Sequence, residues 1–468
     1  VELVYEMPVT VKGDTLVYNA DSFNTGTERK LEDVLKNLPG VEVTDEGEIE
    51  VEGKTVSKVM VEGKDFFDGD SKLATKNIPS NAVDKVQVLK NYSEVGQLSG
   101  VTNNQDNIAI NIKLKEGKEN FWFGNVTAGT GTSDENSLYL IQPKLFYYSP
   151  KYSINVIGDL NNIGEIAFSR RDYFNFSGGF QMPSRQSGTS INLGSNSLGF
   201  LSMQNNRAKD INTKFAAANF SYSPKKTLDI SGFAIFSNNR TELQENNSVT
   251  YTNPDLGIPD ETTQSNTMQR SDLGMAKFSA KYKPNVNNQL DYDIIGRISK
   301  ESQDQRFVSS VIGNTDQFEN SSPFSINQNL DYYYTLNENK IFALSAQHLL
   351  QDEDPFYNAI IENADGSGDI DSYYNTADNL GLDLDQSVYN VNQERRVKSN
   401  QLDSKLDYWN ILNSKSNLNF TLGTILSSQN FNSELFQFLD DDSIFNPSPS
   451  DNDGLVTDGF EYNVADLY

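Results

Sequence analysis

The chain has 468 residues, enough for two or three ordinary domains or for one large barrel with a small additional domain. Lysine and arginine number 38 against 65 aspartates and glutamates, so the formal net charge is -27. This charge argues against nucleic acid as a partner, because the phosphates would be repelled, and against docking on an anionic membrane surface. No run of eighteen apolar residues occurs, so the sequence predicts no membrane-spanning helix.

Few residue types suited to catalysis are present. Cysteine is absent, so neither disulfides nor thiolates contribute, and His348 is the only histidine. A Ser-His-Asp triad would need His348, which lies in an alternating segment that we expect to form a wall of the fold. Acidic residues are too abundant for one pair to stand out as general acid and base, and no glycine-rich phosphate loop is recognisable. The sequence therefore predicts a protein that is not an enzyme and has no cofactor.

The first part of the chain has the pattern of a compact α/β domain at 24–119, preceded by a linker at 1–23. Thr27 is expected to cap a helix that has one apolar face and ends before Pro39 and Gly40. The apolar positions of that helix are Leu31, Val34, Leu35 and Leu38. Short strands are predicted at 41–43, 49–51, 56–61, 83–89 and 108–114, and helical turns at 71–78 and 80–82.

Four segments of this domain follow one another in a distinctive order. They are LPGV at 38–41, VEGKDFF at 61–67, IPSNAVDKVQV at 78–88 and NIAINIK at 107–113. Together they resemble the plug domain of TonB-dependent receptors, and Gly53–Pro79 follows one plug type nearly throughout. Glu62 stands where aspartate is commoner in that family, and the glycines that usually precede the last segment are missing. A TonB box, the short strand that the energising protein grasps, is not recognisable.

The resemblance implies an outer-membrane receptor in which the plug lies inside a β-barrel of about twenty-two strands. The implied partners are outer-membrane lipid and lipopolysaccharide, TonB, and surface lipoproteins or other outer-membrane subunits. Structural and gating roles, fixing turns and packing rather than touching cargo, are implied for the matched motif residues. These residues are Leu38, Pro39, Gly40, Gly63, Phe66, Phe67 and Pro79.

From residue 120 onward the sequence alternates between apolar and polar residues, independently of any family. At 290–294, for example, Leu290, Tyr292 and Ile294 alternate with Asp291 and Asp293. Each such stretch runs for about ten residues, the length that a tilted strand needs to cross hydrocarbon. Short turns that follow an aromatic residue alternate with long polar segments rich in Asn, Asp and Ser. Short turns on one side and long loops on the other are typical of an outer-membrane barrel.

A soluble β-sandwich is the competing interpretation, because its strands also alternate. The length of the strands, the strict alternation of turn and loop lengths, and charges such as Asp291 and Arg297 on the polar face favour the barrel. Eleven strands are predicted, and residues 429–468 are expected to form an outer loop. Eleven is odd, whereas single-chain bacterial barrels have an even number, so the chain is expected to stop halfway through a barrel. The predicted strands lie near 121–131, 138–148, 152–162, 213–222, 227–238, 273–283, 289–300, 325–335, 340–350, 400–410 and 416–428.

The long loops are acidic: nine acidic residues and no lysine or arginine occur in 429–468. The segment NADGSGDID at 363–371 resembles the opening of a calcium loop, with oxygen ligands at alternate positions. Tyr374 stands where the closing glutamate of such a loop would be, so a solvated surface loop is the interpretation we favour. The identity of any metal stays open at this point.

Besides the weaker possibility of an adhesin formed by the outer loops, which would not depend on the plug, two functions remain open. The favoured one is import of a ligand through a plugged barrel, which the family resemblance implies. The other is a plugged barrel that does not transport and instead anchors a multi-protein complex in the outer membrane. The missing TonB box and the long loops keep the second function open, and the sequence does not identify a cargo.

Overall fold

The computed structural model describes residues 7–44, 47–93, 107–117, 120, 122–133, 137–165, 208–250, 252, 260–311, 313–363, 374–413, 416–447 and 457–468. These residues form a small α/β domain followed by a large antiparallel sheet. In this part of the chain, no helix is both long enough and apolar enough to span a membrane.

In its described residues, the small domain contains an eight-stranded sheet and two short α-helices. Its strands in spatial order are β1, β2, β7, β8, β5, β4 and β3, with β6 paired to β5, and only the β5–β8 pairing is parallel. The strand bounds are β1 Val9–Lys12, β2 Thr15–Asn19, β3 Val41–Val43, β4 Ile49–Val51, β5 Lys54–Val61, β6 Lys64–Asp65, β7 Val83–Lys90 and β8 Ile108–Leu114. The helices are α1 Leu31–Lys36 and α2 Ser71–Asn77, with 3-10 turns at Ala20–Ser22, Phe67–Gly69 and Ser80–Ala82.

Two expectations for the start of this domain are wrong. Residues 9–19 are not a linker, because β1 and β2 form a hairpin and β2 pairs with β7 in the sheet. Thr27 does not cap the first helix, which begins at Leu31. Instead, the Asp33 carboxylate accepts hydrogen bonds from the backbone N–H groups of Arg29 and Lys30, at 2.9 and 3.0 Å. A carboxylate in the first turn thus supplies the acceptor expected from Thr27.

The apolar face predicted for the first helix is confirmed. Leu31, Val34 and Leu35 are fully buried and Leu38 is nearly so. Side chains three and four residues apart lie on one side of a helix, so this spacing buries Leu31, Val34 and Leu35 together, and Leu38, just past the end of α1, joins the same core. The predicted strands and the two predicted helical turns also occur, with ends that shift by one or two residues.

The large sheet has fifteen strands in the described residues, all paired antiparallel. The eleven predicted strands correspond to β9 Trp122–Thr132, β10 Ser137–Tyr148, β11 Tyr152–Asn161, β12 Ala208–Lys225, β13 Leu228–Val249, β14 Glu261–Asn285, β15 Asn288–Ser309, β17 Phe324–Asn337, β18 Lys340–Glu353, β20 Tyr389–Asn413 and β21 Ser416–Phe438. The four additional strands are β16 Gly313–Ser321, β19 Phe356–Asn363, β22 Ile444–Phe445 and β23 Thr457–Leu467. A short helix, α3, spans Tyr374–Asn379 before β20.

Two of the additional strands continue predicted ones. The β16 strand leads into β17 and β18 leads into β19, and the interruptions fall at Pro323 and Pro355. Proline lacks the backbone N–H that a sheet ladder needs, which explains a break at each position. The two breaks lie side by side, joined by a 2.7 Å hydrogen bond from the Ser322 N–H to the Asp354 carboxylate.

The expectation that 429–468 forms a loop is wrong. The β21 strand continues to Phe438, and β23 returns beside it with Leu467 opposite Thr424. Counting each interrupted pair once and leaving out the two-residue β22, twelve strands cross the sheet in the described residues rather than eleven, so the parity argument for a half-barrel no longer applies. Among the described residues, β9 pairs only with β10 and β23 only with β21, so the sheet is open at both edges.

The two faces of the large sheet show the reverse of ordinary burial. On β11 the side chain of Val156 is 40% exposed while that of Asn155 is 1% exposed, and on β13 Phe236 is 51% exposed while Ser237 is 3% exposed. Apolar residues thus face away from the small domain and polar residues face towards it. A sandwich requires an apolar inner face, so this arrangement excludes the soluble alternative and matches a sheet in lipid.

The exposed apolar side chains form a belt whose width can be read on β13. Leu228, Ile230, Ala234 and Phe236 point outward along nine residues, and Asn238 follows as the first polar residue on that face. Nine tilted residues span about 25 Å, the height of a transmembrane apolar band. Strands of up to 25 residues, such as β14, extend well beyond it on the long-loop side.

An aromatic collar lies at the short-turn edge of the belt, as predicted. Tyr147 and Tyr152 stack with ring centroids 5.2 Å apart, on either side of the turn between β10 and β11. Further along the edge, the rings of Phe342 and Tyr408 are 4.9 Å apart. Amphipathic aromatic rings prefer the boundary between hydrocarbon and water, so this collar marks one membrane interface.

A charged substitution within the belt should destabilise the protein only in lipid. We expect Ala234→Arg to cost about 2–4 kcal/mol, because it places a cation near the middle of the hydrocarbon layer. Gln244→Arg, on the same face of the same strand but above the belt, should cost about 1 kcal/mol or less. Denaturant unfolding in phospholipid vesicles measures both, and equal costs for the two variants would contradict a transmembrane belt.

The turn before α1 gives a pH-dependent prediction. The Glu28 carboxylate accepts hydrogen bonds from the backbone N–H groups of Thr25 and Gly26, from the Thr25 hydroxyl and from the Asn37 amide, at 2.8 to 2.9 Å. The backbone hydrogen bond from Thr25 is the largest cause that lowers the pKa of Glu28 from 4.5 to about 2. A lowered folded pKa stabilises the domain above pH 4.5, and this contribution is lost as the pH falls towards 2.

We therefore expect Glu28→Gln to speed amide exchange in the small domain at pH 7, with the difference from the natural protein disappearing near pH 2. Hydrogen exchange of the Thr25 and Gly26 amides is the measurement. Glu42→Gln, at an exposed position on β3, is the control and should change neither rate. A difference that persists unchanged at pH 2 would show that the carboxylate charge is not responsible.

Candidate functional site: the interface between the small domain and the large sheet

The inner face of the large sheet carries an apolar patch where the small domain lies. Most inward residues of the sheet are polar, but a group on β9–β15 is apolar and buried. This group belongs to the same hydrophobic cluster as the core of the small domain. Its members are Phe123, Phe146, Tyr148, Ile157, Phe215, Ala217, Phe233, Ile235, Leu273, Met275 and Ile295. The two parts of the chain therefore share one continuous core.

Aromatic rings from the small domain and the sheet meet within that core. Phe66 follows β6 in the small domain, and its ring lies 6.3 Å from that of Phe146 on β10. Phe146 in turn stacks against Phe123 on the neighbouring strand, with ring centroids 5.6 Å apart. Phe67 packs edge-on against Phe66 at 5.1 Å. Such pairs contribute beyond the area they bury, so this cluster fixes where the small domain docks.

A tight turn presents Phe66 and Phe67 to the sheet. Glu62 and Gly63 both have positive φ, 53° and 75°, as a two-residue type I′ hairpin turn requires. The Glu62 carboxylate accepts hydrogen bonds from Lys113 Nζ and the Leu114 N–H, at 2.7 and 2.6 Å. These bonds hold a non-glycine residue in the left-handed region and tie the turn to β8.

Two lysines cross between the domain and the sheet. Lys64 Nζ donates to the backbone oxygen of Ser149, in the turn between β10 and β11, at 2.8 Å. In the opposite direction, Lys144 Nζ on β10 donates to the backbone oxygen of Lys76 at 3.2 Å. Lys76 lies in the last turn of α2, where carbonyl groups lack partners within the helix and a cation is favourable. Burial lowers the pKa of Lys64, and the carboxylates of Asp229 and Glu62 oppose that shift.

The rest of the interface is not tightly packed. A cavity of about 470 Å³ separates the β5–β6 hairpin of the small domain from β12–β17 near their short turns. The sheet contributes serine, tyrosine and six charged side chains to it, in contrast to the apolar patch. The charged residues are Asp229, Lys277, Lys281, Asp291, Asp293 and Asp331. Lys58 and Asp65 pair across the domain side at 2.9 Å. A polar space of this size has room for water between the two surfaces.

The structure divides the seven motif residues into two groups. Phe66 and Phe67 lie at the interface, and Gly63 lies in the turn that presents them and lines the cavity. The contacts recorded for the other four lie within the small domain. Leu38 is in its core, Gly40 adopts φ 77°, Pro39 O accepts a 3.1 Å hydrogen bond from Tyr18, and Pro79 bridges to Lys30.

The partner residues on the sheet were not among the residues predicted from the sequence. Phe146 and Tyr148 occupy inward positions, where the alternation predicts polar residues, and Lys144 precedes them on the same face. Aromatic residues on the polar face of a membrane strand need an apolar neighbour. This exception to the pattern was the available signal for a contact with the small domain.

The remaining candidate positions do not form a site in the described residues. His348 lies on β18, as expected for a wall residue, and its ring nitrogens hydrogen-bond to Gln328 and Asn400, at 3.2 and 2.9 Å. The calcium-like segment at 363–371 lies outside the described residues, apart from the end of β19 at Asn363. In the part of the chain that the structure describes, no group of three or more potential metal-ligating side chains converges.

Three observations establish the architecture: an exposed apolar belt, an antiparallel strand order, and a domain that lies on the polar inner face of the sheet. This is an outer-membrane β-barrel wall carrying a plug domain. The large sheet is the wall, and the small domain is the plug.

Solved structures with a related fold include three receptors. The ferric yersiniabactin uptake receptor FyuA from Yersinia pestis is 12% identical, with a TM-score of 0.38, and the match covers 98% of this chain and 61% of that one. BauA, the ferric preacinetobactin receptor from Acinetobacter baumannii, is 10% identical with a TM-score of 0.29, covering 92% and 76%. The siderophore receptor PirA from Pseudomonas aeruginosa is 10% identical with a TM-score of 0.25, covering 92% of each chain.

The chain thus spans about three fifths of the length of the receptor from Yersinia pestis. No protein-family model matches the sequence, and no curated protein matches it.

A double-mutant cycle tests whether Phe66 and Phe146 hold the plug on the wall. Each change to alanine should destabilise the docked protein by about 3–5 kcal/mol, because it leaves a cavity in a shared core. The coupling between them should be about 0.5–1.5 kcal/mol, the contribution of an aromatic pair beyond its area. Denaturant unfolding of the full chain in detergent micelles gives both quantities.

The matched control pairs Phe66→Ala with Phe436→Ala, on a distant wall strand, and should show no coupling beyond about 0.5 kcal/mol. Equal coupling in the two cycles would mean that the ring contact does not dock the plug.

Proposed function

We propose that this chain forms part of a TonB-dependent receptor that imports a ligand across the outer membrane. The proposal rests on the interface between plug and wall, which is apolar and packed in one part and lined by charged residues around a cavity in another. The motif residues Phe66 and Phe67 are seated in an apolar patch, while a charged cavity of about 470 Å³ keeps the neighbouring surfaces apart. A plug held in this way closes the lumen but is fixed over only part of its surface.

The resemblance of the four plug segments to TonB-dependent receptors supports the same function. Each segment has a physical role: 38–41 contains a helix end, 61–67 contains a type I′ turn and the docking residues Phe66 and Phe67, 78–88 leads into β7, and 107–113 forms β8. A module built only for stability would not need a charged, solvated gap beside its docking site. In a gated pore, this gap lowers the free energy needed to detach the plug.

The proposed mechanism has three steps. Cargo binds the outer loops and the plug surface above the wall lumen. An energised pull by TonB from the periplasmic side then breaks the contacts that cross the interface, including Lys64 to Ser149 O and Phe66 to Phe146. The plug shifts or partly unfolds, and cargo passes along the polar inner face of the wall. Among the described residues, that face carries amides such as Asn239 and Gln269 and hydroxyls such as Ser237.

A reversible cross-link between plug and wall tests this function. The chain lacks cysteine, so Lys64→Cys with Ser149→Cys can be joined by a cleavable bis-maleimide without side reactions. Uptake of radiolabelled ferric citrate, cyanocobalamin, maltohexaose and a mixed peptide digest would be compared in cells with and without the protein. We expect the cross-link to abolish uptake of whichever probe depends on the protein, and reduction to restore it.

The matched control joins Arg306→Cys to Asp316→Cys, which face each other on two wall strands and leave the plug free. Uptake should continue in that variant. Undiminished uptake with the plug cross-linked would contradict a moving plug. The anchoring function would be favoured if uptake of every probe were the same with and without the protein and other outer-membrane proteins co-purified with it in stoichiometric amounts.

A further inference from the structure

A row of cations lies on the outer face of the wall, directly above the apolar belt. Lys214, Arg240, Arg270 and Lys300 come from the four neighbouring strands β12 to β15, and all four side chains are exposed. The last apolar positions below them include Phe236 and Ile298, which are 51% and 66% exposed. The row lies towards the long loops, the side of the membrane that faces outward.

The strand register places these cations close together. Arg240 is directly opposite Arg270, which puts their Cβ atoms roughly 5 Å apart. Lys214 pairs with Asn238 and is therefore diagonal to Arg240, and Lys300 pairs with Asp272 and is diagonal to Arg270. Like charges directly opposite one another destabilise a sheet. An anion between them would remove that cost.

Acidic side chains of the protein do not neutralise this row of cations. Within the described ranges, none of the four cations is within ion-pair distance of a carboxylate, and the Arg270 guanidinium contacts the Met268 sulfur at 3.2 Å. Thioether sulfur is a weak acceptor. Asp272 is the one carboxylate in the row, and it accepts a hydrogen bond from the Asn238 amide. The next acidic side chains on this face, Asp210, Glu242 and Asp304, lie one row further from the belt.

Four clustered cations are unusual in a chain with net charge -27. Solubility does not explain them, because acidic residues already cover the surface. Arginine pairs present planar donors that match phosphate oxygens in a bidentate geometry. Four strands span roughly 14 Å, which is enough for two phosphate groups on one headgroup.

We propose that Lys214, Arg240, Arg270 and Lys300 bind a bisphosphorylated lipid headgroup of the outer leaflet, with its acyl chains lying on the apolar belt below. The position at the edge of the belt selects an amphiphile over a soluble phosphate, because the exposed Phe236 and Ile298 side chains lie immediately below the charges. The site depends on the wall and not on transport, so it holds for either function of the plug.

Titration of the detergent-purified full protein with bisphosphorylated lipid A, followed by native mass spectrometry, tests the site. Each cation near a membrane surface contributes roughly a fivefold gain in affinity for anionic lipid. The double variant Arg240→Gln/Arg270→Gln should therefore bind about twenty- to thirtyfold more weakly. Monophosphoryl lipid A, which keeps the acyl chains and lacks one phosphate, should bind the natural protein several-fold more weakly than the bisphosphorylated form.

The matched control is Lys226→Gln/Lys283→Gln, which removes the same charge from exposed positions at the short turns on the other side of the belt. Its affinity should stay within about twofold of the natural protein. Equal losses in both double variants would show a non-specific effect of net charge and would overturn the proposal. So would equal affinity of the natural protein for the two lipids, a comparison that does not depend on any variant folding correctly.

Discussion

Each strand of the wall has to satisfy two different surroundings, hydrocarbon on one face and the plug or water on the other. Because side chains alternate along a strand, a shift of one residue in register would move Asn155, Asp159 and Asn161 into lipid. That penalty fixes the register of every strand in the belt. It also fixes the height at which each inward side chain stands, including Lys144 and Phe146, which meet the plug. The docking geometry therefore follows from the membrane belt on the opposite face.

The sequence was sufficient for the parts of the fold that depend on local pattern. Apolar spacing gave the buried face of α1, and alternation gave the eleven wall strands, because both reflect the solvent on each side of a regular element. The strand β23 was missed although Phe460, Tyr462 and Val464 alternate with polar residues, because it lies in a segment rich in acidic residues. It pairs with β21 mainly above the belt, where lipid imposes no pattern. The helix cap predicted at Thr27 is wrong because Asp33, the third residue of α1, supplies the hydrogen-bond acceptor instead.

The candidate site could be predicted only in part. The plug motif identified Phe66 and Phe67, but nothing local links them to Phe146, about eighty residues later. Which inward side chains of a wall meet a plug depends on how two separately formed units pack. In principle, the unexpected aromatics at Phe146 and Tyr148 signal such a contact. The charged cavity could not be predicted, because inward acids such as Asp291 and Asp331 are equally expected in any water-filled lumen.

The two halves of the interface have opposite physical consequences, and the proposed function needs both. Apolar contact around Phe66 and Phe146 is non-directional and strong, so it keeps the lumen closed while no force acts. The contacts around the cavity are different in kind. Lys64 donates to one backbone oxygen of a surface turn, and its lowered pKa shows that burial already disfavours its charge. When the plug moves, that lysine regains water, which offsets part of the lost hydrogen bond. An interface that was apolar throughout would have no such compensation, and detaching the plug would then require the full cost of exposing its core.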